Sequence, residues 1–192
     1  MCSRFSINKS KEDIKKIFSE LIIDEGMDLN RHFFPNMDAP VLYENRLKNL
    51  KWGFITETLK EPLINIRAEG VASKSYFRKY FYKYRCLIPA DSFYEWKESA
   101  FPGHGKVPYK IFMKDNGIFF MAGLLNPDNN TFAIITTTPS ILIKQIHNRM
   151  PVILKKENYE LWLNNKSSDT EYLLPLLTPY DSSKMEFIQT DL

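Results

Sequence analysis

The sequence predicts an α+β fold, in which a mostly antiparallel, barrel-like β-sheet is flanked by helices. From position 85 onward, short apolar and aromatic segments alternate with turn signals, which is typical of successive antiparallel strands. On both sides of that region, other stretches carry apolar residues at helical spacing. The 192 residues are 44% hydrophobic and 14% aromatic, which suffices for one large core. Since no repeat or linker-like composition divides the chain, we assign residues 1–192 to a single domain.

The first helix is predicted from position 10. Ser10 and Asp13 have the spacing of a capping box, and residues 14–21 place their apolar side chains on one face. Residues 33–40 contain two prolines, each of which fixes φ and removes a backbone donor, so we predict an ordered loop there. This loop should lead into a short strand at 41–43.

The second helix is predicted at residues 73–84, after a strand end at 50–55. Phe77, Tyr80 and Phe81 have helical spacing, and lysines and arginines lie largely on the other side. Most charge runs of this kind are solvated, so we interpret the basic face as an ordinary helix surface.

Strands dominate the prediction for the second half of the chain, at residues 85–90, 93–96, 109–113, 118–125 and 131–138. Asn116-Gly117 lies between the third and fourth of these strands and tolerates positive φ, so we predict that the two strands form a hairpin. The remaining predicted elements are a short helix at 139–146, an extended segment at 147–154, a helix at 155–163 and a last strand at 184–189.

Composition argues against several classes of protein and site. A net charge of +3 does not by itself indicate nucleic-acid binding. The absence of a long apolar run and of a signal-peptide pattern leads us to expect a cytoplasmic protein without a membrane segment. Cys2 and Cys86 provide no disulfide framework, and no Cys, His and Asp cluster offers the three or four ligands of a zinc site. We therefore expect no metal and no cofactor.

Cys2 becomes the N-terminal residue once the initiator Met1 is removed. Its thiol and free α-amine then lie on adjacent carbons, with pKa values near ~8.5 and ~7.8, so that reactive forms of both exist at neutral pH. Such an aminothiol condenses with an aldehyde to an imine and closes to a five-membered thiazolidine. The alternative is an ordinary residue in a frayed terminus, and position alone favours that alternative.

Three further polar residues are candidates for chemistry. Glu95 lies between two aromatic residues of a predicted strand; an inward orientation would raise its pKa by burial, although strand alternation alone favours an outward one. His147 is a natural acid or base near neutral pH, but a single loop histidine is more often only a hydrogen-bonding residue. Asn65 could orient a substrate or cap a turn. His32 and His104 have no partner that their spacing predicts.

Six sequence motifs occur in an order that identifies a family. They are MCSRF (1–5), WGF (52–54), NIRAE (65–69), RCLIPADSFYEWK (85–97), AGL (122–124) and HNRMPVIL (147–154). With them, the chain resembles the SOS response-associated peptidase (SRAP) family of abasic-site processing proteins over nearly its whole length. The long fourth motif together with HNRMP is highly specific.

The resemblance implies a sensor of abasic sites in single-stranded DNA that takes part in the DNA damage (SOS) response. Family members crosslink the mature N-terminal cysteine, here Cys2, to the ring-opened sugar aldehyde as a thiazolidine. The family's active-site asparagine, glutamate and histidine correspond to Asn65, Glu95 and His147. We expect Glu95 to move protons during sugar ring opening, His147 to assist there and in crosslink reversal, and Asn65 to orient the Cys2 amine or the sugar. This implies a DNA-modifying thiol enzyme of lyase or peptidase type, monomeric, cytoplasmic and associated with the bacterial nucleoid when bound.

DNA contacts should follow the logic of single-strand binding, in which cations hold phosphates and flat side chains stack on bases. The candidates, taken from in or beside the matching motifs, are Arg4, Arg67 and Arg149 for phosphates, and Trp52 with the loop from Asn36 to Pro40 for bases or backbone. A core position is an equally good interpretation of Trp52, because buried tryptophan is common.

Two departures from the family pattern bear on the DNA surface. Ser3 stands where the family usually has glycine, and its side chain restricts backbone geometries that glycine permits. Residues 56–58, Thr-Glu-Thr, replace a common proline-plus-tryptophan pattern.

Two other functions compete with the crosslinker. One is a thiol peptidase with Cys2 as nucleophile, His147 as base and Glu95 as the orienting group, limited to removal of its own Met1. The other is a non-enzymatic reader of single-stranded DNA or of modified bases on the same fold.

Overall fold

Strands make up most of the regular structure in the computed structural model, which describes residues 2–59, 61–99, 103, 105–166 and 170–191. The strands are β1 Phe5–Ile7, β2 Ile22–Ile23, β3 Arg31–Phe33, β4 Asp38–Tyr43, β5 Arg46–Trp52, β6 Asn65–Arg67, β7 Arg85–Ala90, β8 Ser92–Glu98, β9 Lys106–Met113, β10 Phe119–Asn126, β11 Thr131–Thr137, β12 Met150–Pro151 and β13 Met185–Gln189. The helices are α1 Lys11–Lys15, α2 Ser75–Lys83, α3 Tyr159–Leu163 and α4 Thr170–Leu173. The α+β class is therefore confirmed.

Five of these strands close into a barrel. Antiparallel pairing runs from β11 through β10, β7 and β4 to β5. Parallel pairing of β5 with β11, at Lys51↔Thr131 and Trp52↔Phe132, closes the ring. Strands β2, β6 and β12 attach to this barrel at its sides. The prediction of a barrel-like, mostly antiparallel sheet is confirmed.

A second sheet, in the order β13-β9-β8-β1-β3, carries the N-terminal strand of the described chain. Strand β1 lies between β8 and β3, with Phe5 opposite both Phe93 and Phe33. All the pairings within this sheet are antiparallel. The sheet therefore fixes the residues just before Phe5 from both sides.

A column of aromatic rings joins the second sheet to the barrel. Phe33 stacks on Phe5 with ring centroids 5.0 Å apart, and Phe5 packs against Trp52 at 5.2 Å. Trp52 in turn stacks on Phe132 at 6.2 Å. All four side chains are buried, and they belong to one core cluster that both sheets share. Strand β1 is thus tied to the barrel seam.

Arg85, at the start of β7, fixes two helices against the barrel. Its buried guanidinium donates to the carbonyl of Phe81 at 2.7 Å and to that of Trp162 at 2.8 Å. These carbonyls lie near the C-terminal ends of α2 and α3, where a helix leaves its carbonyl groups unpaired. Burial lowers the pKa of Arg85 to about 10, so the side chain remains a cation at neutral pH.

Local signals predicted some elements correctly. The capping box of Ser10 and Asp13 is formed in both directions at the start of α1. Helix α2 buries Phe77, Tyr80 and Phe81 as predicted. The first helix, however, is only five residues long. The N–H of Ile17 bonds to the carbonyl of Ile14, three residues earlier, so that the regular α-helical hydrogen bonding ends there.

The predicted hairpin between residues 109–113 and 118–125 is wrong. Asn116 does turn the chain, with φ of 53° and its N–H bonded to the Met113 carbonyl at 2.8 Å. The two strands then separate, since β9 pairs with β8 and β13, whereas β10 pairs with β7 and β11 in the barrel. Every residue of β10 is buried, so its best partners are central barrel strands.

The predicted loop at 33–40 is also wrong in its second half, because Pro40 lies inside β4, opposite Asn49 of β5. Within the described chain, β4 pairs with its other neighbour β7 at Leu42 alone. A strand position without an N–H donor is tolerated where the ladder is interrupted in this way. The predicted helix at 139–146 is reduced to a 3-10 turn, Ile143–Gln145.

We predict that Gly123→Ala destabilises the protein by about 1–3 kcal/mol through overpacking of the barrel. A Cβ at Gly123 would lie 2.4 Å from Cδ1 of Ile88 and 2.8 Å from the carbonyl oxygen of Ala133. The free energy of unfolding, measured by urea denaturation, tests this. Gly70→Ala is the matched control, because its Cβ meets only the flexible Lys74 side chain, at 3.0 Å. Equal stability of the two variants would contradict the prediction.

Candidate active site

Cys2 is buried rather than frayed. Its side chain is 0% exposed, and its thiol donates to the carbonyl oxygen of Arg4 at 3.7 Å. The Cys2 carbonyl accepts a hydrogen bond of 2.8 Å from Nδ2 of Asn65. Because β1 starts at Phe5 and is held on both sides, the three residues before it have little freedom. The frayed-terminus interpretation of Cys2 is wrong.

Asn65 is the first residue of β6, which pairs in parallel with β11 and places Asn65 opposite Ile134. Its neighbour Ile64 is fixed as well, since its carbonyl accepts a 2.9 Å hydrogen bond from Nε1 of Trp52. The Asn65 amide uses Nδ2 for Cys2, and its buried Oδ1 has no hydrogen-bond partner within the described chain. An acceptor is therefore left beside the Cys2 backbone.

Glu95 points inward, against the orientation that strand alternation alone favours. The residue is 1% exposed, although it belongs to a strand whose far end is open to solvent. Burial raises the pKa of Glu95 to about 7. Burial, with a further contribution from the negative charge of Glu95, raises the pKa of the Cys2 thiol well above its usual range. The charge of the carboxyl group thus affects the pKa of the thiol.

His147 lies beside the same carboxyl group. Its Nδ1 lies 3.9 Å from Oε1 of Glu95 and accepts the backbone N–H of Arg149 at 3.1 Å. Nδ1 also lies 3.2 Å from the carbonyl oxygen of Arg149, so the Arg149 backbone offers a partner to either tautomer of the neutral ring. Burial lowers the pKa of His147, which favours that neutral form at pH 7.

The structure therefore brings the four predicted residues together in two linked pairs. Asn65 holds the backbone of Cys2, and His147 lies beside Glu95. The effect of the Glu95 charge on the Cys2 thiol connects the two pairs. Chemically, this is a buried thiol next to a carboxyl group that is half-protonated near pH 7 and a neutral imidazole.

The side chain of Arg4 is half-buried. Its guanidinium group lies 4.8 Å from the ring centroid of Phe34 and 5.0 Å from that of Tyr94. Its Nε donates to Nδ1 of His32 at 3.1 Å. Among the described residues, Arg4 has no carboxylate partner within ion-pair distance and no hydrogen bond from its two Nη atoms.

Arg149, by contrast, is engaged within the protein. Its Nη2 donates to Oε2 of Glu69 at 2.9 Å and to the Thr136 carbonyl at 2.6 Å, and its Nη1 bonds to the other carboxylate oxygen of Glu69. Arg67, two residues before Glu69, is exposed. The three arginines that were predicted to contact phosphates thus differ in environment: Arg4 lies against aromatic rings, Arg149 is paired with Glu69, and Arg67 is exposed.

The other predicted DNA contacts are distributed between core and surface. Trp52 is 0% exposed within the aromatic column, so packing accounts for it. Pro40 is buried within β4 and is likewise a packing residue in this structure. Asn36 is exposed in the turn before β4, with a left-handed φ of 67°, and remains accessible to a ligand.

Two neighbours of the site had no predicted role, His32 and Glu69. His32 contacts Arg4 because β3 pairs with β1, and Glu69 contacts Arg149 across 80 positions of sequence. Only knowledge of strand pairing could have found them. Met1 and His104 lie outside the described residues.

Neither a metal centre nor a membrane-spanning helix is present in the described ranges. In the described part of the chain, no group of three or more His, Cys, Asp or Glu side chains is arranged to hold a metal ion. No helix in those same ranges combines the length and apolarity needed to cross a membrane.

Comparison with known proteins identifies relatives along the whole chain. A family profile described as "SOS response associated peptidase (SRAP)" matches residues 1–191. The abasic site processing protein YoqW of Bacillus subtilis (strain 168) is 39% identical over 207 residues, covering 98% of this chain and 92% of the relative. The abasic site processing protein YedK of Escherichia coli (strain K12) is 27% identical over 187 residues, covering 89% and 83%.

Solved structures share the fold. A crystal structure of a protein from Bacteroides thetaiotaomicron superposes with a TM-score of 0.84 and 27% identity, covering 99% of this chain and 92% of that one. A protein from Bordetella bronchiseptica gives a TM-score of 0.82 at 21% identity, with full coverage of both chains, and supports the fold alone.

We predict that Glu95→Gln changes the pH dependence of stability. The pKa of Glu95 rises from 4.5 to about 7 on folding, so the folded state binds more protons between these values. The free energy of unfolding of the wild type should therefore fall as pH rises through that window. Relative to the wild type, Glu95→Gln should gain up to about 3 kcal/mol between about pH 5 and about pH 8.

Urea denaturation of both proteins at the two pH values tests this. Glu98→Gln, an exposed carboxyl in the same strand, is the control and should follow the wild type. An equal difference between Glu95→Gln and wild type at both pH values would show that Glu95 is not a perturbed acid.

Proposed function

The chain belongs to the SOS response associated peptidase (SRAP) family, and on that basis we propose that it processes abasic sites in single-stranded DNA by crosslinking them to Cys2. The names of its relatives as abasic site processing proteins support the substrate class. The observation that carries the proposal is the buried Cys2, whose carbonyl is held by Asn65 at 2.8 Å beside a carboxyl group with a pKa of about 7.

The proposed reaction needs Cys2 as the N-terminal residue, with Met1 removed. The α-amine attacks the sugar aldehyde, a C–N bond forms, and water leaves as the imine forms. The thiol then adds to the imine carbon: a C–S bond closes the thiazolidine, the thiol loses its proton and the imine nitrogen gains one. Because burial raises the pKa of the thiol, it enters this step protonated and needs a nearby base.

Glu95 is suited to both directions of proton transfer, since with a pKa of about 7 each of its forms is populated at neutral pH. As a base it takes the proton of the sugar C1 hydroxyl, and as an acid it protonates the ring oxygen when the C1–O bond breaks. The imidazole of His147, whose Nδ1 lies 3.9 Å from Oε1 of Glu95 and whose pKa is lowered by burial, is a second group that can move protons there. Asn65 fixes the Cys2 backbone and offers its Oδ1 to the amine or to the sugar.

DNA would be held by cations at the surface around this site. Arg4 offers two Nη groups that have no hydrogen-bond partner among the described residues, a fork that matches phosphate oxygens. Arg67 is exposed two residues after Asn65. Arg149 is bonded to Glu69, so a phosphate at Arg149 would have to share or displace that carboxylate.

The raised thiol pKa also bears on the peptidase alternative. A thiol peptidase relies on a thiolate, which positive neighbours stabilise by lowering the thiol pKa. Here burial and the Glu95 charge both raise the pKa of Cys2. This environment favours amine-first condensation with an aldehyde over thiolate attack on a peptide.

We predict a heat-stable adduct when the protein is mixed with a single-stranded oligonucleotide that contains one abasic site. Intact mass and a denaturing gel should show it for the wild type with Met1 removed, and Cys2→Ala should abolish it completely. Cys86→Ala is the control cysteine variant, because Cys86 is buried in β7 and has no part in the proposed reaction. Peptide cleavage without an adduct would favour the peptidase, and salt-dependent binding unchanged in Cys2→Ala would favour the non-covalent reader.

We also predict that Glu95→Gln slows adduct formation with a closed-ring abasic site by about 100-fold, as expected for loss of general acid–base catalysis. Reaction with a simple open-chain aldehyde should be affected much less, since no ring has to open. Single-turnover rates with the two substrates provide the comparison, and Glu98→Gln serves as the exposed control. Equal slowing with both substrates would remove Glu95 from ring opening.

A further inference from the structure

The environment of Arg4 fixes its guanidinium plane from three directions. Phe34 and Tyr94 approach the cation with ring centroids 4.8 Å and 5.0 Å from its central carbon. His32 receives the Nε hydrogen bond at 3.1 Å. Cation–π contacts hold the plane, and the hydrogen bond fixes its rotation.

His32 must be neutral to accept this bond. An arginine side chain always donates, so Nδ1 of His32 supplies a lone pair, and the ring proton lies on Nε2. Protonation of the imidazole would remove the acceptor and place two cations in contact. The interaction between His32 and Arg4 therefore has two states that differ in charge as well as in geometry.

The residues behind His32 form a buried polar network. The His32 ring lies 5.3 Å from that of Tyr94, whose hydroxyl is 3.3 Å from Oγ of Ser6. Ser6, opposite His32 in the β1–β3 pairing, donates to Oδ1 of Asp91 at 3.1 Å. Ser6 is 0% and Tyr94 3% exposed. The imidazole is thus backed by an ordered structure that limits where its Nδ1 can point.

We propose that His32 is a positioning residue that holds the Arg4 fork toward a DNA phosphate, and that it does so only while its imidazole is neutral. This inference rests on the proposed function for its ligand, a phosphate of the DNA strand. It assigns to His32 no contact with DNA and no proton transfer. Its effect is to reduce the side-chain freedom that Arg4 loses on binding.

The charged groups around His32 determine the pH at which its ring is protonated and the hydrogen bond with Arg4 is broken. Burial and the positive charge of Arg4 lower the pKa of His32, Lys110 on β9 acts in the same direction, and Asp91 between β7 and β8 opposes them. The imidazole is therefore neutral at about pH 7.5. Its hydrogen bond with Arg4 is lost when the ring is protonated, as pH falls below the ordinary histidine range. Phosphate binding should weaken over the same interval.

Two substitutions test separately the two features of His32, its hydrogen-bond acceptor and its aromatic ring. His32→Gln retains an acceptor oxygen that does not titrate, and His32→Phe retains a ring against Tyr94 but has no acceptor. The probe is a single-stranded oligonucleotide with a tetrahydrofuran abasic analogue, which has no aldehyde and therefore reports binding alone. Fluorescence anisotropy would give Kd for wild type and both variants at about pH 7.5 and about pH 4.5, well below the ordinary pKa of histidine.

At the higher pH, His32→Gln should match the wild type and His32→Phe should bind about three- to tenfold more weakly. At the lower pH, the wild type should weaken by a similar factor relative to His32→Gln, since the other titrating groups are common to both. An equal pH response in wild type and His32→Gln, or wild-type affinity in His32→Phe, would overturn the proposal. If His32→Phe fails to fold, as judged by circular dichroism, the pH comparison with His32→Gln decides alone.

A measurement without DNA keeps this inference separate from the proposed function. In ¹⁵N-labelled protein, His32 should show an unprotonated Nδ1 and a protonated Nε2 at about pH 7.5. A protonated Nδ1 would overturn the inference whatever the affinities are. Complete absence of DNA binding in the wild type, together with the expected ring spectrum, would instead count against the proposed function and hence against the ligand assigned here.

Discussion

The packing of Phe5 between Phe33 and Trp52 is the contact on which the site depends. Through Phe33 it fixes β1 within the second sheet, and through Trp52 it ties β1 to the barrel seam. Trp52 also bonds to the carbonyl of Ile64, directly before Asn65. One buried ring cluster thus holds both Cys2, three residues before Phe5, and the amide that binds its carbonyl. This packing keeps the first described residues in a defined position, whereas chain ends that are not tied down usually fray.

The same burial sets the chemistry. Removing Glu95 from water disfavours its charged form and brings its pKa to about 7, while the Cys2 thiol is shifted well above its usual range. The two shifts go together: a carboxyl that is half-ionised at neutral pH can accept a proton from a thiol that would otherwise keep it. A more open site would leave the thiol easier to ionise but the carboxylate a weaker base. In the proposed reaction, this environment favours an addition assisted by Glu95 over attack by a free thiolate.

Sequence reasoning succeeded where interactions are local. The capping box at Ser10 and the buried face of α2 depend on residues a few positions apart, and both are present. It failed for the strands on either side of Asn116, because the turn was visible but the choice of partner is set by burial across two sheets. The approach of Asn65 to Cys2, across 63 positions, followed from a family resemblance and not from any periodicity. The contacts of His32 and Glu69 depend on strand pairing in the same way and had no local signal.

The two arginines beside the site differ in what neutralises their charge, and this bears on how DNA would be held. Arg149 is bidentate with a carboxylate, so an incoming phosphate must offset the lost ion pair. Arg4 is held by rings and a neutral imidazole, which restrain the cation without cancelling its charge. In the proposed complex, a cation that is restrained in this way and has no carboxylate partner among the described residues loses less side-chain entropy when it binds a phosphate. In the proposed complex, Arg4 therefore supplies affinity, whereas Arg149, whose backbone N–H bonds to His147, keeps the imidazole in place.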